Sequence, residues 1–254
     1  QITEHQLEKG SNITDHIRAM PDRLTIDGVI SETPILELPH ITNTAPNVYN
    51  IVAQTLNGKQ FFAYPSSNDL LHVWDGTNLR QVGLAQPGAA PTGANEGVGA
   101  FTGTRYYRTR EIIEVSSVKV VRSEPSATLT FTPDGAHAGV TVTKPATANT
   151  HATHWELEAS TDNANFYIIA TVVIGTATYN DENASYTTGF ILSDAIGSYL
   201  RPFSAKFLSV DGDRLIFGGH WSDDTKKSTV AWTPVLSDPG IGNEERFPIV
   251  DTGG

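Results

Sequence analysis

Three sets of side chains in this sequence have the types that chemistry needs. His151-x-x-His154, with His137 upstream, offers imidazoles to a metal. Residues three apart on a strand point to opposite faces, so convergence would need His151 on a loop, and surface histidines are the plainer reading. Asp211 and Asp213, with Asp223 and Asp224 further on, offer carboxylates to calcium. A calcium loop needs several oxygen ligands at set spacing, whereas Asp211-Gly212-Asp213 reads first as a hairpin turn. Glu156 and Glu158 would lie about 6–7 Å apart on one face of a strand, a spacing that suits paired carboxylates in glycoside hydrolysis. Two glutamates alternating with apolar residues read more simply as a solvated face. No Gly-x-Ser-x-Gly elbow and no Walker-type glycine loop occurs. The expectation is a non-enzymatic chain with no catalytic residue, cofactor or metal. Tyr64, Trp74, Trp221 and Trp232 could stack on a sugar, in competition with core packing, where large aromatics usually go.

These side chains would be positioned by β-structure. In His154-Trp155-Glu156-Leu157-Glu158-Ala159-Ser160, Trp155, Leu157 and Ala159 alternate with polar residues, the pattern of a half-buried strand with one wet face. The turn formers Thr161-Asp162-Asn163-Ala164-Asn165 lead to a second strand at Phe166-Tyr167-Ile168-Ile169-Ala170-Thr171. Further β-branched strands fall at Val118-Lys119-Val120-Val121, Ala127–Thr132 and Val140–Thr143, separated by Pro125, Pro133-Asp134-Gly135 and Pro145. Together they predict a β-sandwich over residues 99–182.

Composition narrows the function classes. Asp and Glu number 28 against 17 Lys and Arg, a formal charge of -11, with the basic residues scattered. A nucleic-acid groove or an anionic membrane surface would want the opposite. The absence of cysteine excludes disulfides, thiolate zinc sites and cysteine nucleophiles. No apolar run approaches the roughly 18 residues of a spanning helix, so no membrane insertion is expected. The sequence begins at Gln1 and closes on Asp251-Thr252-Gly253-Gly254, which reads as processing or an excerpt at one end and a truncation at the other.

Residues 1–35 read as a strand-turn-strand arm around Asp27-Gly28. Residues 36–85 form a blade-like β region with turns at Asn57-Gly58 and Asp75-Gly76, and 86–98, rich in Gly, Pro, Ala, Thr and Asn, read as a linker. After the sandwich, 183–254 repeat the blade-like scheme around Asp211-Gly212, with a short helical turn expected at Ser193-Asp194-Ala195-Ile196. The fold class is therefore all-β: a fibronectin III/Ig-like sandwich flanked by propeller-blade-like antiparallel sheets, with an extended N-terminal arm.

The wording Gly10-Ser11-Asn12-Ile13-Thr14-Asp15-His16-Ile17, Pro21-Asp22-Arg23-Leu24-Thr25-Ile26 and Ser31-Glu32-Thr33-Pro34-Ile35 resembles the N-terminal region of Dit-like tail proteins of bacteriophages, which form rings at the distal end of a tail. The resemblance covers the first 35 residues, with Ile35 as its limit. It implies an interaction arm in which Asn12, Ile13, Asp15, His16, Leu24 and Ile26 meet a neighbouring subunit. The tyrosine-rich strand with Arg122-Ser123-Glu124-Pro125-Ser126 resembles the last two strands of a fibronectin III module, and Val140 to Asp181 its earlier ones, in permuted order. The pattern Asp213-Arg214-Leu215-Ile216-Phe217 resembles propeller-containing virion proteins, including packaged-DNA stabilisation proteins of short-tailed phages.

The resemblances imply a structural subunit of a phage virion, in the tail or its tip, assembled in the bacterial cytoplasm. Its expected partners are other virion proteins and copies of itself, with no nucleic acid. A receptor- or carbohydrate-binding adhesin holding a host-surface glycan, a head-to-tail connector component and a depolymerase stand as alternatives.

Overall fold

The computed structural model describes residues 24–26, 29–31, 52–56, 58–63, 70–74, 79–115, 117–220 and 223–233. Strands β1 (Leu24–Ile26) and β2 (Val29–Ser31) pair antiparallel with Ile26 opposite Val29. Next come β3 (Val52–Leu56), β4 (Lys59–Ala63), β5 (His72–Trp74) and β6 (Leu79–Gln81), a four-stranded meander in chain order. Gly58, at φ +72°, supplies the left-handed conformation that the tight β3–β4 hairpin requires.

The middle of the chain contributes β7 (Thr92–Glu96), β8 (Arg105–Val115), β9 (Val118–Arg122), β10 (Leu129–Phe131) and β11 (Gly139–Thr143). It continues with β12 (His154–Ser160), β13 (Tyr167–Val173), β14 (Thr178–Asp181) and β15 (Ile191–Leu192). These strands build a six-stranded sheet in the order β10-β8-β12-β13-β15, with β9 also on β8, and a three-stranded sheet β14-β11-β7. The chain then returns through β16 (Ala205–Asp211), β17 (Arg214–His220) and β18 (Val230–Trp232), a second consecutive meander. Gly212 and Asp213 both take positive φ, +52° and +60°, as a two-residue hairpin turn demands. Among the described residues there is no α-helix, and a single 3-10 turn, Asp224–Lys226, is capped by the Asp223 side chain.

Among the described residues two large apolar cores follow from the period-2 patterns, beside a small cluster of Leu84, Ile113 and Val121. Trp155, Leu157 and Ala159 of β12 pack with Tyr107 of β8 and Ile169 of β13 against Val140 and Val142 of β11, so the two sheets of the middle unit face each other. The Trp155 indole donates to the Thr176 carbonyl at 2.8 Å, which satisfies its one polar atom. The second core joins distant parts of the chain. Phe61, Leu71, Val73 and Val82 interlock with Leu208, Leu215, Phe217 and Ala231, although the whole middle unit intervenes in sequence.

Three expectations change. Glu156 and Glu158, expected on a solvated face, are fully buried at 0% exposure. Strand alternation assigned them to the correct side of the sheet, but residues 193–199 and β9 bring polar groups over that side. Thr92–Glu96, inside the stretch that composition reads as a linker, is a strand hydrogen-bonded along β11. A side chain at Gly139, where that pairing begins, would put its Cβ 1.9 Å from the Val98 carbonyl oxygen, so the close approach requires glycine. Residues 193–196 form no helical turn. They start an irregular strap stitched down by its own polar groups.

Leu215→Ala is expected to lower stability by about 3 kcal/mol, the usual order for a fully buried leucine. Because its core is shared, amide exchange should accelerate in residues 52–63 together with 205–217. Protection lost in the C-terminal meander alone would contradict a common core.

Candidate interaction surfaces

The polar centre of the middle unit is set by the register of β8 on β12. Glu156 lies opposite Arg110 and Glu158 opposite Arg108. The Glu158 carboxylate accepts from Arg108 Nε, from Arg110 Nε at 2.6 Å and from the Ser193 hydroxyl. Arg110 then donates to the Ser123 carbonyl at 2.9 Å and the Asp194 carbonyl at 3.1 Å. Arg108 stacks over the Phe166 ring at 4.0 Å and Arg110 over Tyr199 at 5.3 Å. Glu156 is held by Lys119 and, at 3.3 Å, by Arg122. Glu124 accepts the backbone amides of Gly197 at 2.8 Å and Tyr199 at 2.6 Å. The strap of residues 193–199 is thus bound by charged groups, each satisfied by hydrogen bonds from another part of the chain. Arg108 and Arg110 alternate along their strand as Glu156 and Glu158 do along theirs, the one sequence signal from which the pairing could have been inferred.

A second buried centre joins the two sheets. Asp181 Oδ2, on β14, accepts from Arg105 at 2.8 Å, from the Tyr107 hydroxyl at 2.7 Å and from the Tyr186 hydroxyl at 2.5 Å. Arg105 and Asp181 are fully buried, and the guanidinium also reaches the carbonyls of Phe101 at 2.7 Å and Ala138 at 2.9 Å. Burial, then the Asp181 charge, pushes the Tyr107 and Tyr186 phenols well above their ordinary range. At the β12–β13 turn, the Asp162 carboxylate lies well below its usual range because the amides of Asn165 and Ala164, the Asn165 side chain and the Ser160 hydroxyl all donate to it.

The expected site residues fall in separate places. Leu24 and Ile26 lie on β1, whereas Asn12, Ile13, Asp15, His16, Tyr64 and Trp221 lie outside the described residues. Trp74 and Trp232 are both half-buried. Their strand neighbours Val73 and Ala231 point into the shared core, so the two indoles take the opposite faces of two different sheets. They do not form one stacking platform. Trp232 pairs with Ile216, next to the row formed by Phe207, Gly218 and Val230, and Phe207 is 64% exposed.

The histidines are likewise dispersed. His137 pairs with Asp134 at 2.5 Å, His154 contacts Thr153 at 3.0 Å, and His151 is exposed on a loop. Asp211 lies opposite Arg214 across the hairpin turn, and Asp223 accepts from Thr225 at its amide and hydroxyl. Among the described residues no group of three or more His, Cys, Asp or Glu could hold a metal ion, and no helix is long and apolar enough to cross a membrane.

Residues 1–83 match the family model of the Dit-like phage tail protein, well past the Ile35 limit of the sequence resemblance. The match takes in the first meander, and it supports a phage tail protein. No curated protein matches the chain.

Removing one partner of a buried ion pair leaves a charge without compensation, so Glu158→Ala is expected to cost about 3–5 kcal/mol in chemical denaturation. Glu156→Ala should cost less, because its partner Lys119 is 28% exposed and can turn to water. The tyrosines give a test in alkali. A phenol whose folded pKa exceeds its unfolded value of about 10 contributes stability in full below that pH and loses it as pH rises towards the folded value. Absorbance titration at 295 nm should therefore show the same number of tyrosines ionising below pH ~11 in the wild type, Tyr107→Phe and Tyr186→Phe. A lost phenolate signal in either variant would show that its hydroxyl titrates normally.

Proposed function

We propose that this chain is a non-enzymatic structural subunit of a phage tail, incorporated into the particle through its N-terminal arm. The observation that carries the proposal is the match of residues 1–83 to Dit-like phage tail proteins. The arm has a physical need for a partner, since its described part is a two-stranded ribbon and such a ribbon is marginal by itself in water. Pairing with a sheet edge on a neighbouring subunit would complete it through backbone hydrogen bonds. Partners in this proposal are other tail proteins and further copies of the chain.

In the same proposal the middle unit is a fibronectin III-like sandwich acting as a spacer. Its support is a three-stranded sheet facing a larger one, with β8 and β10 preceding β11 to β14 and so permuted from the usual strand order. The blade-like reading of the two meanders is supported by their consecutive antiparallel order, although a closed propeller uses ~4 or more such sheets. A glycan-binding role has one observation in its favour, the outer row in which Trp232 and Ile216 adjoin exposed Phe207 and Val230.

Among the described residues all three apolar clusters lie C-terminal to the arm. Deletion of residues 1–35 should therefore abolish incorporation into particles while far-UV circular dichroism and the unfolding transition stay close to wild type. Normal incorporation of the truncated chain would overturn the arm's role. Binding to a host-glycan array that is lost in Trp232→Ala would favour the adhesin instead.

A further inference from the structure

A cleft of about 270 Å³ opens where the chain enters and leaves the middle unit. Its lining includes Gln81, the last residue of β6, Leu84 just after it, and Arg201, shortly before β16. Ala148, Asn149, Thr150 and His151, on the loop between β11 and β12, complete it. Asn149 is already committed, because its side chain bonds both the amide and the carbonyl of Ala85 and the Glu111 carboxylate. Among the described residues, the side chains of Gln81, Thr150, His151 and Arg201 make no hydrogen bond or ion pair within the chain. Convergent polar side chains around one concavity are what a small-ligand site offers.

The sign of the ligand follows from the lining. Arg201 is permanently charged and, among the described residues, no carboxylate lines the cleft. Partial burial lowers the Arg201 pKa, with no opposing contribution from a neighbouring acid. A largely exposed guanidinium with no acidic neighbour is free to take an anion from solvent. A single arginine balances one negative charge, which suits a carboxylate better than a dianionic phosphate. Its planar fork also matches a carboxylate through two parallel hydrogen bonds. Space is sufficient: at ~30 Å³ per water, the cleft holds roughly nine waters, enough for a carboxylate with the short stem that carries it.

We propose that this cleft is a carboxylate-binding site, with Arg201 as the charged anchor and Gln81, Thr150 and His151 as flanking hydrogen-bond partners. The carboxylate comes either from an acidic side chain of a second copy of this chain or from a small free acid. Bound there, it bridges the β11–β12 loop to both chain crossings and stiffens the joint between the two cores. The site does not depend on the tail assignment, and no part of it lies in the arm.

The test uses the full chain, labelled with nitrogen-15, at constant ionic strength. Acetate is titrated while the Arg201 Nε–H resonance is followed, with wild type compared against Arg201→Gln and His151→Gln. In the variant that lacks the arginine, the shifts of the Thr150 and His151 backbone amides report binding. Saturable shifts in the wild type, weakened at least tenfold in Arg201→Gln and by a smaller factor in His151→Gln, are expected. Sedimentation velocity at low salt separates the two sources. Self-association that acetate or Arg201→Gln abolishes identifies a second copy as the donor, whereas saturable acetate binding without self-association identifies a free acid. Acetate shifts that do not saturate, or that are equal in wild type and Arg201→Gln, overturn the proposal. Because Arg201 and His151 are exposed and neither belongs to a core, both variants should fold, and matching circular dichroism spectra check this.

Discussion

A carboxylate in the interior of a protein must be compensated by charge and hydrogen bonds, or it costs several kcal/mol to keep there. Glu158 meets that constraint through Arg108, Arg110 and Ser193. Much of the middle unit is organised by the solution. The arginines must stand on β8 directly across from the glutamates of β12, which pins the register. Arg110 must then find acceptors at Ser123 and Asp194, which draws the segment after β9 and the start of the strap onto the sheet. A slip of one residue would turn the charged row into the apolar core and Trp155 out of it.

The Arg105–Asp181 centre does the same work between sheets. Arg105 shares the inward face of β8 with Tyr107, and Asp181 ends β14 of the opposite sheet. Their contact, with two tyrosine hydroxyls on the same oxygen, ties the edge strand of the smaller sheet to the larger one. Buried ionic groups of this kind add little net stability compared with apolar packing of equal volume. What these contacts fix here is placement: the partners of Glu158 and Asp181 come from β8, β14 and the strap, so their contacts hold together only when those elements sit as they do.

The outer surfaces have a different character. The C-terminal meander turns Leu208, Leu215 and Phe217 inward and leaves Phe207 and Val230 outside. These exposed apolar side chains therefore sit on the outer face of a sheet whose inner face closes a core. The cleft at the chain crossings lies where the two cores are connected and where a ligand can bridge them.

Much of the β-structure was legible in the residues themselves. Alternation located β12 and its apolar face at Trp155, Leu157 and Ala159, and turn formers located the hairpins at Gly58, Asp162 and Gly212, because both signals are written in residues a few positions apart. The Dit-like wording was legible too, although the family match continues well beyond the stretch that carried it. What lies over a strand's second face is not local information. Glu156 and Glu158 looked wet because nothing next to them in sequence covers them. Arg108, Arg110, Lys119, Ser193 and the strap come from distant strands and loops that only the folded sheet brings together. The same holds for the shared core of Phe61 and Phe217 and for the cleft around Arg201. By itself the sequence determined most of the strands, β7 excepted, and which way their side chains face, since those depend on backbone geometry with a period of two. Only the tertiary structure decided which of those faces meet water, since that depends on chain segments that pack from far away.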